Sequence, residues 1–214
     1  MARRAKTPRF QEFQVLNNTL DYFNDPLKTK NVLKDGPYVL ELGCGKGSFV
    51  LELATRHPNT NYVGMDIKSD RMWFGAKRAQ KQNLGNLTYL RAHAKDLIDI
   101  FAPKSLTGIW LTFPDPYLKK RKAKHRLTHP GFMKIYAELL IKDGWLKFKT
   151  DNDKLFKWSL DVFEGLDDWQ VMSSGQDLHA DIEEDDDWAI LTQYEEKFLS
   201  SGKTINYAEL KLLN

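Results

Sequence analysis

From Tyr38 onward the apolar residues fall into short runs separated by amphipathic stretches of about ten to fifteen residues, the rhythm of βαβ units around a parallel sheet. The pattern predicts strands over 38–42, 61–66, 87–91, 108–113, 144–150, 169–173 and 205–212. It predicts helices over 47–56, 69–83, 95–101, 129–141 and 152–163. Asn59 and Asn61 punctuate the entry to the second strand, and Gly85, Gly108 and Gly144 precede later ones, where turns belong. Upstream, Phe10, Phe13, Leu16, Leu20 and Phe23 recur at threes and fours, which predicts a helix from Pro8 to Phe23; Pro26 and its polar neighbours then read as a linker. Five strand–helix steps are followed by two strands without a helix between them. The expected architecture is α/β: a Rossmann-like, doubly wound, seven-stranded and mostly parallel sheet whose last strand is antiparallel, in a hairpin at the sheet edge. Residues 174–204, before the last strand, make an insertion of a length that is often functional.

A chain of 214 residues fits one domain, here 1–214 with a basic amino-terminal arm and helix over 1–30. Hydrophobic residues make up 42% and charged residues 29%, which argues against wholesale disorder. No apolar run approaches the roughly 18 residues of a membrane span, so no membrane is expected as a partner. Residues 1–9 are basic and polar and do not read as a secretory signal. The single cysteine, Cys44, excludes an internal disulfide and a multi-cysteine zinc site, so no metal is expected, and it fits a reducing cytoplasm. The net charge of +3 conceals a strong contrast. Lys119, Lys120, Arg121, Lys122, Lys124 and Arg126 form a basic run; Asp177, Asp181, Glu183, Glu184, Asp185, Asp186 and Asp187 form an acidic one. A basic surface hidden behind a near-neutral total is a form nucleic-acid binders take, although a solvated charged face has the same composition. The acidic stretch is expected to be a solubilising loop, or one that folds back on the basic run until RNA displaces it.

The first strand runs from Tyr38-Val39-Leu40-Glu41-Leu42 straight into Gly43-Cys44-Gly45-Lys46-Gly47, with a helix starting near Ser48. Glycines allow a sharp turn and close approach of a ligand, and the N–H groups at the following helix terminus favour an electronegative one. Glu41 lies in a strand that should be buried, where a carboxylate needs a partner. The second strand ends on Asp66, about 20 residues on, where an acid can grip both hydroxyls of a ribose. The order strand, glycine loop, helix, strand, acid points to a ribose-bearing cofactor. The third glycine comes one residue earlier than in a dinucleotide fingerprint, which speaks against a nicotinamide oxidoreductase. The stretch resembles motifs I and II of class I S-adenosylmethionine-dependent methyltransferases, whose fold is a seven-stranded sheet with a reversed last strand.

The fourth strand ends in Phe113-Pro114-Asp115-Pro116-Tyr117. Ligands of open α/β sheets lie beyond the carboxyl ends of the strands, and two prolines restrict the loop that carries Asp115. The basic run follows at once, as a loop or short helix suited to phosphates. Arg3, Arg4, Lys6 and Arg9 could add a second basic arm.

Phe113-Pro114-Asp115-Pro116 with Lys119-Lys120-Arg121, Lys124, Arg126 and Leu127 is similar to the signature of bacterial tRNA (guanine-N7)-methyltransferases. So are Phe148-Lys149-Thr150-Asp151-Asn152, Asp177-Leu178-His179 and Thr192-Gln193-Tyr194-Glu195-Glu196-Lys197-Phe198. The resemblance covers nearly the whole chain from about Pro8. It implies transfer of the methyl group of S-adenosyl-L-methionine to a variable-loop guanine of tRNA, nucleotide 46 by convention, in a cytoplasmic monomer or homodimer. It implies that Glu41, Gly43, Gly45, Gly47, Asp66, His93 and Asp115 line the cofactor, with Asp115 at the catalytic centre. It implies substrate contacts at Lys119, Asp151, Thr192, Gln193, Tyr194 and Glu195, and RNA contacts at Arg121, Lys122, Lys124, His125 and Arg126. His93 stands where many relatives carry an acid; its ring or the Ala94 backbone could meet the adenine amino group. A small-molecule methyltransferase on the same fold and a nonenzymatic RNA binder are the competing classes. The first has no use for the basic run beside Asp115, and the second none for intact Glu41, Asp66 and Asp115.

Overall fold

The computed structural model of the protein describes residues 6–33, 36–183 and 186–213. Arg3, Arg4, the side chain of Lys6, Glu184 and Asp185 lie outside the described residues. The chain divides into two units, Met1–Ala102 and Pro103–Asn214.

The first unit holds α1 (Lys6–Phe13), β1 (Thr19–Asp21), α2 (Pro26–Val32), β2 (Tyr38–Leu42), α3 (Ser48–Arg56), β3 (Tyr62–Asp66), α4 (Ser69–Lys81), β4 (Leu87–Arg91), a 3-10 turn (Ala94–Asp96) and α5 (Leu97–Ile100). Its strands lie in the order β1-β4-β3-β2, all parallel. Val39, Leu40 and Leu42 of β2 and Tyr62, Val63 and Met65 of β3 are buried on both faces, as parallel strands covered by helices are. Helix α4 buries Met72, Gly75, Ala76 and Ala79 at helical spacing. The small residues let it lie close: a Cβ at Gly75 would come within 2.4 Å of the Tyr89 hydroxyl and 2.6 Å of the Lys46 carbonyl.

The expected helix over 8–23 is instead α1, a turn and the short strand β1, so the described residues hold eight strands and not seven. The Thr19 hydroxyl donates to the Phe13 and Leu16 carbonyls, closing off the helix end and turning the chain into the sheet. Phe13 and Leu20 are both buried, so a spacing of seven served two elements and mimicked one helix. The expected linker is also a helix. Asp25 accepts from the Lys28 N–H and Pro26 opens α2, an ordinary start signal in an otherwise polar stretch. Arg91 fastens β1 in place: its guanidinium reaches both Asp21 carboxylate oxygens at 3.0 and 3.2 Å and lies between the rings of Phe10 and Phe23.

The second unit holds β5 (Leu106–Thr112), a 3-10 helix (Lys120–His125), α6 (Pro130–Leu139), β6 (Leu140–Thr150), α7 (Asp153–Glu164), β7 (Trp169–Gly175), α8 (Leu178–Asp181), a 3-10 turn (Asp187–Ala189), α9 (Gln193–Ser200) and β8 (Asn206–Leu212). Its strand order is β5-β6-β8-β7. β5 and β6 are parallel, while β8 is antiparallel to both β6 and β7. The last strand thus enters between two earlier ones and leaves β7 at the edge. Trp110, Trp145 and Trp188 pack edge to face around the Lys147 ammonium, 5.3–5.4 Å from each ring centre. Among the described residues, no helix is long and apolar enough to cross a membrane.

Arg91→Leu would remove the cation from the Asp21 carboxylate and bare two aromatic faces. The expected loss of stability is about 2 kcal/mol, measured as a lower urea midpoint at unchanged m-value.

Candidate functional site

The glycine loop is a folded object before any ligand enters. Gly43, Gly45 and Gly47 all have positive φ, at 83°, 58° and 71°. The Gly43 and Cys44 N–H groups donate to the Met65 carbonyl at 2.8 and 3.0 Å. Beneath the loop lies Tyr89 of β4, fully buried, whose hydroxyl donates to the Gly47 carbonyl at 2.7 Å. A Cβ at Gly47 would come within 2.1 Å of the Tyr89 ring, whereas one at Gly45 would meet no protein atom within 4 Å. Gly47 is therefore demanded by packing, and Gly45 leaves its outer side to a ligand.

Two carboxylates brace this loop. Glu41, buried in β2, accepts from the Val50 N–H at 3.1 Å. Val50 is the third residue of α3, and the N-cap position is Gly47, which has no side chain to do this work. Glu41 thus caps α3 from the neighbouring strand. Asp66 accepts from the Gly45 N–H at 3.0 Å through one oxygen and from the Lys68 N–H at 2.9 Å through the other. It is half-buried, so lone pairs remain for a ribose. Cys44 is buried between these acids, and burial, then the charges of Glu41 and Asp66, push its thiol well up. It stays protonated and inert. His93 is exposed at the start of the 3-10 turn, its ring 4.9 Å from that of Phe23. It lies just beyond the end of β4, where the Ala92 N–H donates to the Asp66 carbonyl at 3.3 Å.

In the second unit, β5 ends in a loop strained at both margins. Phe113 and Tyr117 take positive φ, 51° and 39°, a region bulky side chains avoid at a cost of about 1–3 kcal/mol. The Phe113 N–H donates to the Lys149 carbonyl at 2.8 Å, and the Phe113 ring packs against Phe198 of α9. From the other side, the Arg126 guanidinium donates to the Pro116 and Tyr117 carbonyls at 3.0 and 3.2 Å and lies 4.3 Å from the centre of the Trp158 ring. Asp115, between these braces, is exposed. The basic run is a 3-10 helix on which Lys120, Arg121, Lys122, Lys124 and His125 are exposed, with Lys119 exposed just before it. Arg126 differs from the sequence expectation of an RNA contact. It is only 8% exposed and its donors face inward, so it holds the loop that the others flank.

Glu195 is likewise placed differently from an expected substrate contact. It is fully buried. Its carboxylate meets the Lys149 ammonium at 2.7 Å, the His179 imidazole at 2.9 Å and the Thr192 N–H at 3.2 Å, while Thr192 accepts in return from the Glu195 N–H. Lys149, also fully buried, donates further to the Trp188 and Ile190 carbonyls. Gln193 and Tyr194 are exposed on the turn this network fixes, and Asp151, at the end of β6, pairs with Lys203 at 3.0 Å. In the acidic run, Asp181 accepts from the Tyr207 hydroxyl and Asp186 caps the turn at Trp188.

Sequence reasoning missed Tyr89 and the burial of Lys149. The first had a faint signal, three glycines at 47, 64 and 75 whose missing Cβ atoms all make room for one ring. The second had a plain one, a lysine between Phe148 and Thr150 in a strand buried on both faces.

Among the described residues, no group of three or more His, Cys, Asp or Glu side chains could hold a metal ion. The glycine cradle, the open side of Gly45 and two flanking acids suit a nucleoside-bearing sulfonium. A family model described as "Putative methyltransferase" matches residues 35–208. Solved structures with the same fold include a 16S rRNA (adenine(1408)-N(1))-methyltransferase variant from Catenulisporales acidiphilia with cosubstrate SAM. It has a TM-score of 0.61 and 15% identity, over 89% of this chain and 91% of that one. The 16S rRNA methyltransferase KamB gives a TM-score of 0.60 and 16% identity, over 89% and 94%. The fold is that of class I S-adenosylmethionine-dependent methyltransferases. Among curated proteins, the tRNA (guanine-N(7)-)-methyltransferase of Christiangramia forsetii is 33% identical over 99% of this chain and 100% of its own. That of Mycoplasma capricolum is 40% identical over 85% and 84%, and that of Clostridioides difficile 37% over 89% and 88%. The chain belongs to the tRNA (guanine-N(7)-)-methyltransferase family.

Two substitutions separate the glycines' roles. Gly47→Ala drives a methyl group into Tyr89 and is expected to unfold the first unit's loop, seen as a large drop in Tm. Gly45→Ala carries only the left-handed cost of about 1–2 kcal/mol; it should keep the fold and weaken S-adenosylhomocysteine binding in calorimetry. In the second unit, Lys149→Met would leave Glu195 a buried charge without its ammonium, at about 3–5 kcal/mol. Combining it with Glu195→Leu should recover part of that loss, measured by urea unfolding.

Proposed function

We propose that this protein methylates N7 of a guanine in tRNA, the variable-loop nucleotide 46, with S-adenosyl-L-methionine as donor. The observation that carries this reading is the exposed Asp115 on a doubly braced, strained loop that runs straight into an exposed row of cations. Family membership over nearly the full length supports it. A small-molecule methyltransferase would share the glycine loop and Asp66 but would leave that row unexplained.

In this reading Glu41, Gly43, Gly45, Gly47, Asp66 and His93 hold the cofactor. When bound, it supplies a sulfonium whose methyl carbon accepts an electron pair. Guanine N7 already carries an in-plane lone pair and no proton, so the N7–carbon bond forms as the sulfur–carbon bond breaks, without a general base. The protein's work is then alignment and charge. Asp115 orients the base by accepting from its N1–H and amino edge. Its carboxylate opposes the positive charge that develops on guanine, an interaction stronger in the transition state than before it. Asp151, Gln193 and Tyr194 face the substrate around it, and Glu195 with Thr192 fixes their turn. Lys119, Arg121, Lys122, Lys124 and His125 grip phosphates, which supplies affinity with little sequence readout. The reading carries with it tRNA as partner, a cytoplasmic location, action of residues 1–214 as one methyltransferase domain, and a monomer or homodimer.

Asp115→Asn is expected to lower kcat roughly 10²–10³-fold while leaving S-adenosylmethionine affinity unchanged; normal turnover would remove Asp115 from this role. Mapping the labelled nucleotide after incubation with unmodified tRNA tests the site of transfer.

A further inference from the structure

Helix α4 turns an unusual face outward. Its core side carries Met72, Gly75, Ala76 and Ala79, so the opposite side presents Asp70, Arg71, Phe74, Lys77, Arg78 and Lys81. That is four cations against one acid. The solvent side of α7 shows what a merely hydrated helix face looks like here: Asp153, Lys154, Lys157, Asp161 and Glu164 mix both signs. Among the described residues, Lys77 is the α4 cation with an acidic partner, Glu12 of α1 at 2.8 Å, which also accepts from the Trp73 indole N–H at 2.9 Å. Arg71, Arg78 and Lys81 form no ion pair among the described residues.

In the middle of this face sits an aromatic ring that is not fully buried. Phe74 is half-buried, with the Arg9 guanidinium 4.5 Å and the Lys46 ammonium 5.7 Å from its centre. The ring gathers two further cations, one from α1 and one from the tip of the glycine loop, onto the same surface. The helix that carries the surface is packed on that loop from its inner side, where a Cβ at Gly75 would touch the Lys46 carbonyl. From Arg71 to Lys81 it extends roughly 15 Å at about 1.5 Å per residue, long enough to meet several phosphates of a nucleic-acid strand.

We infer that the outward face of α4, with Arg9 and Lys46, is a second phosphate track that holds the tRNA backbone on the rim of the glycine loop. The inference rests on the tRNA reading above. A nucleotide delivered to a methyl group seated on that loop brings its flanking phosphates to the loop's own rim, and this rim is cationic where a solvated helix would be balanced. Such a track gives affinity and orientation without reading sequence.

The test compares two triple variants that remove equal charge from exposed positions. One is Arg71→Gln with Arg78→Gln and Lys81→Gln; the control is Lys28→Gln with Lys30→Gln and Lys142→Gln, on α2 and β6. Binding of an unmodified tRNA transcript is followed by anisotropy across a KCl series, and S-adenosylhomocysteine binding by calorimetry. The α4 variant should bind tRNA roughly tenfold more weakly near physiological salt, with a salt slope shallower by about 2. Its S-adenosylhomocysteine affinity should not change, and the control should follow the wild type in both. Equal loss in the two variants would reduce the effect to net charge and overturn the track. So would an α4 variant that binds tRNA like the wild type, or one that loses cofactor affinity in step with tRNA affinity. A wild-type protein that fails to methylate tRNA overturns the functional reading itself, and the inference with it, so the two failures are told apart by turnover of the unaltered chain.

Discussion

One phenol ring sets the shape of the first unit. Tyr89 fills the space that Gly47, Gly64 and Gly75 leave open, and its hydroxyl satisfies the Gly47 carbonyl at the turn into α3. Burial, with the neighbouring Cys44 and Glu41, pushes the phenol well up, so it remains a neutral donor. Three elements converge on it: the glycine loop from above, β3 beside it, and α4 from the flank. The loop's left-handed residues cost conformational free energy, and it is this packing that makes the strained course the lowest one available. Asp66 adds a tether from the next strand through the Gly45 N–H. A loop built this way is rigid before any ligand arrives, which would reduce the ordering cost of binding one.

The second unit solves a similar problem with charge. Lys149 ties three segments with one residue: its carbonyl receives the Phe113 N–H, and its ammonium holds Glu195 and two carbonyls of the segment before α9. A fully buried ion pair is a poor source of net stability, because desolvation consumes much of the attraction. What it supplies is geometry that apolar packing would leave loose, since each donor and acceptor has a fixed direction. The strained Phe113 and the turn at Thr192 are both anchored to it. Arg126 does the matching work at the far end of the Asp115 loop.

Much of this was legible in the residues and some was not. The alternation of short apolar runs with helical stretches gave β2 to β5, β7 and β8 within two residues of their observed limits, because covered parallel strands read as short continuous apolar runs; β6 begins at Leu140, four residues before the expected 144. β1 was not legible: at three residues it is too short to show a period of two, and Leu20 continued the helical spacing of Phe13. Glu41, Asp66 and Asp115 stood out because an acid at a strand end or inside a buried strand is rare without a purpose. The division of labour within the basic run was hidden. Composition cannot distinguish Arg126, turned inward over Trp158, from Arg121 five residues earlier; only the position of the Pro116 and Tyr117 carbonyls does so. The same holds for Glu195, whose burial depends on a lysine 46 positions away in sequence.

The proposed chemistry also explains why these groups are arranged for position instead of proton transfer. The side chains driven hardest from their ordinary pKa, Cys44, Tyr89 and Tyr136, are all pushed up by burial into their neutral forms. None is poised to give or take a proton near neutrality, which is what acid–base catalysis requires. Methylation of a nitrogen that already offers its lone pair makes no such demand. It needs a carbon, a lone pair and a leaving sulfur in line, and a negative charge where the base turns positive. In the proposed reading a preformed loop serves one reactant and a strained, doubly anchored carboxylate the other, and exposed cations hold a large polyanion still.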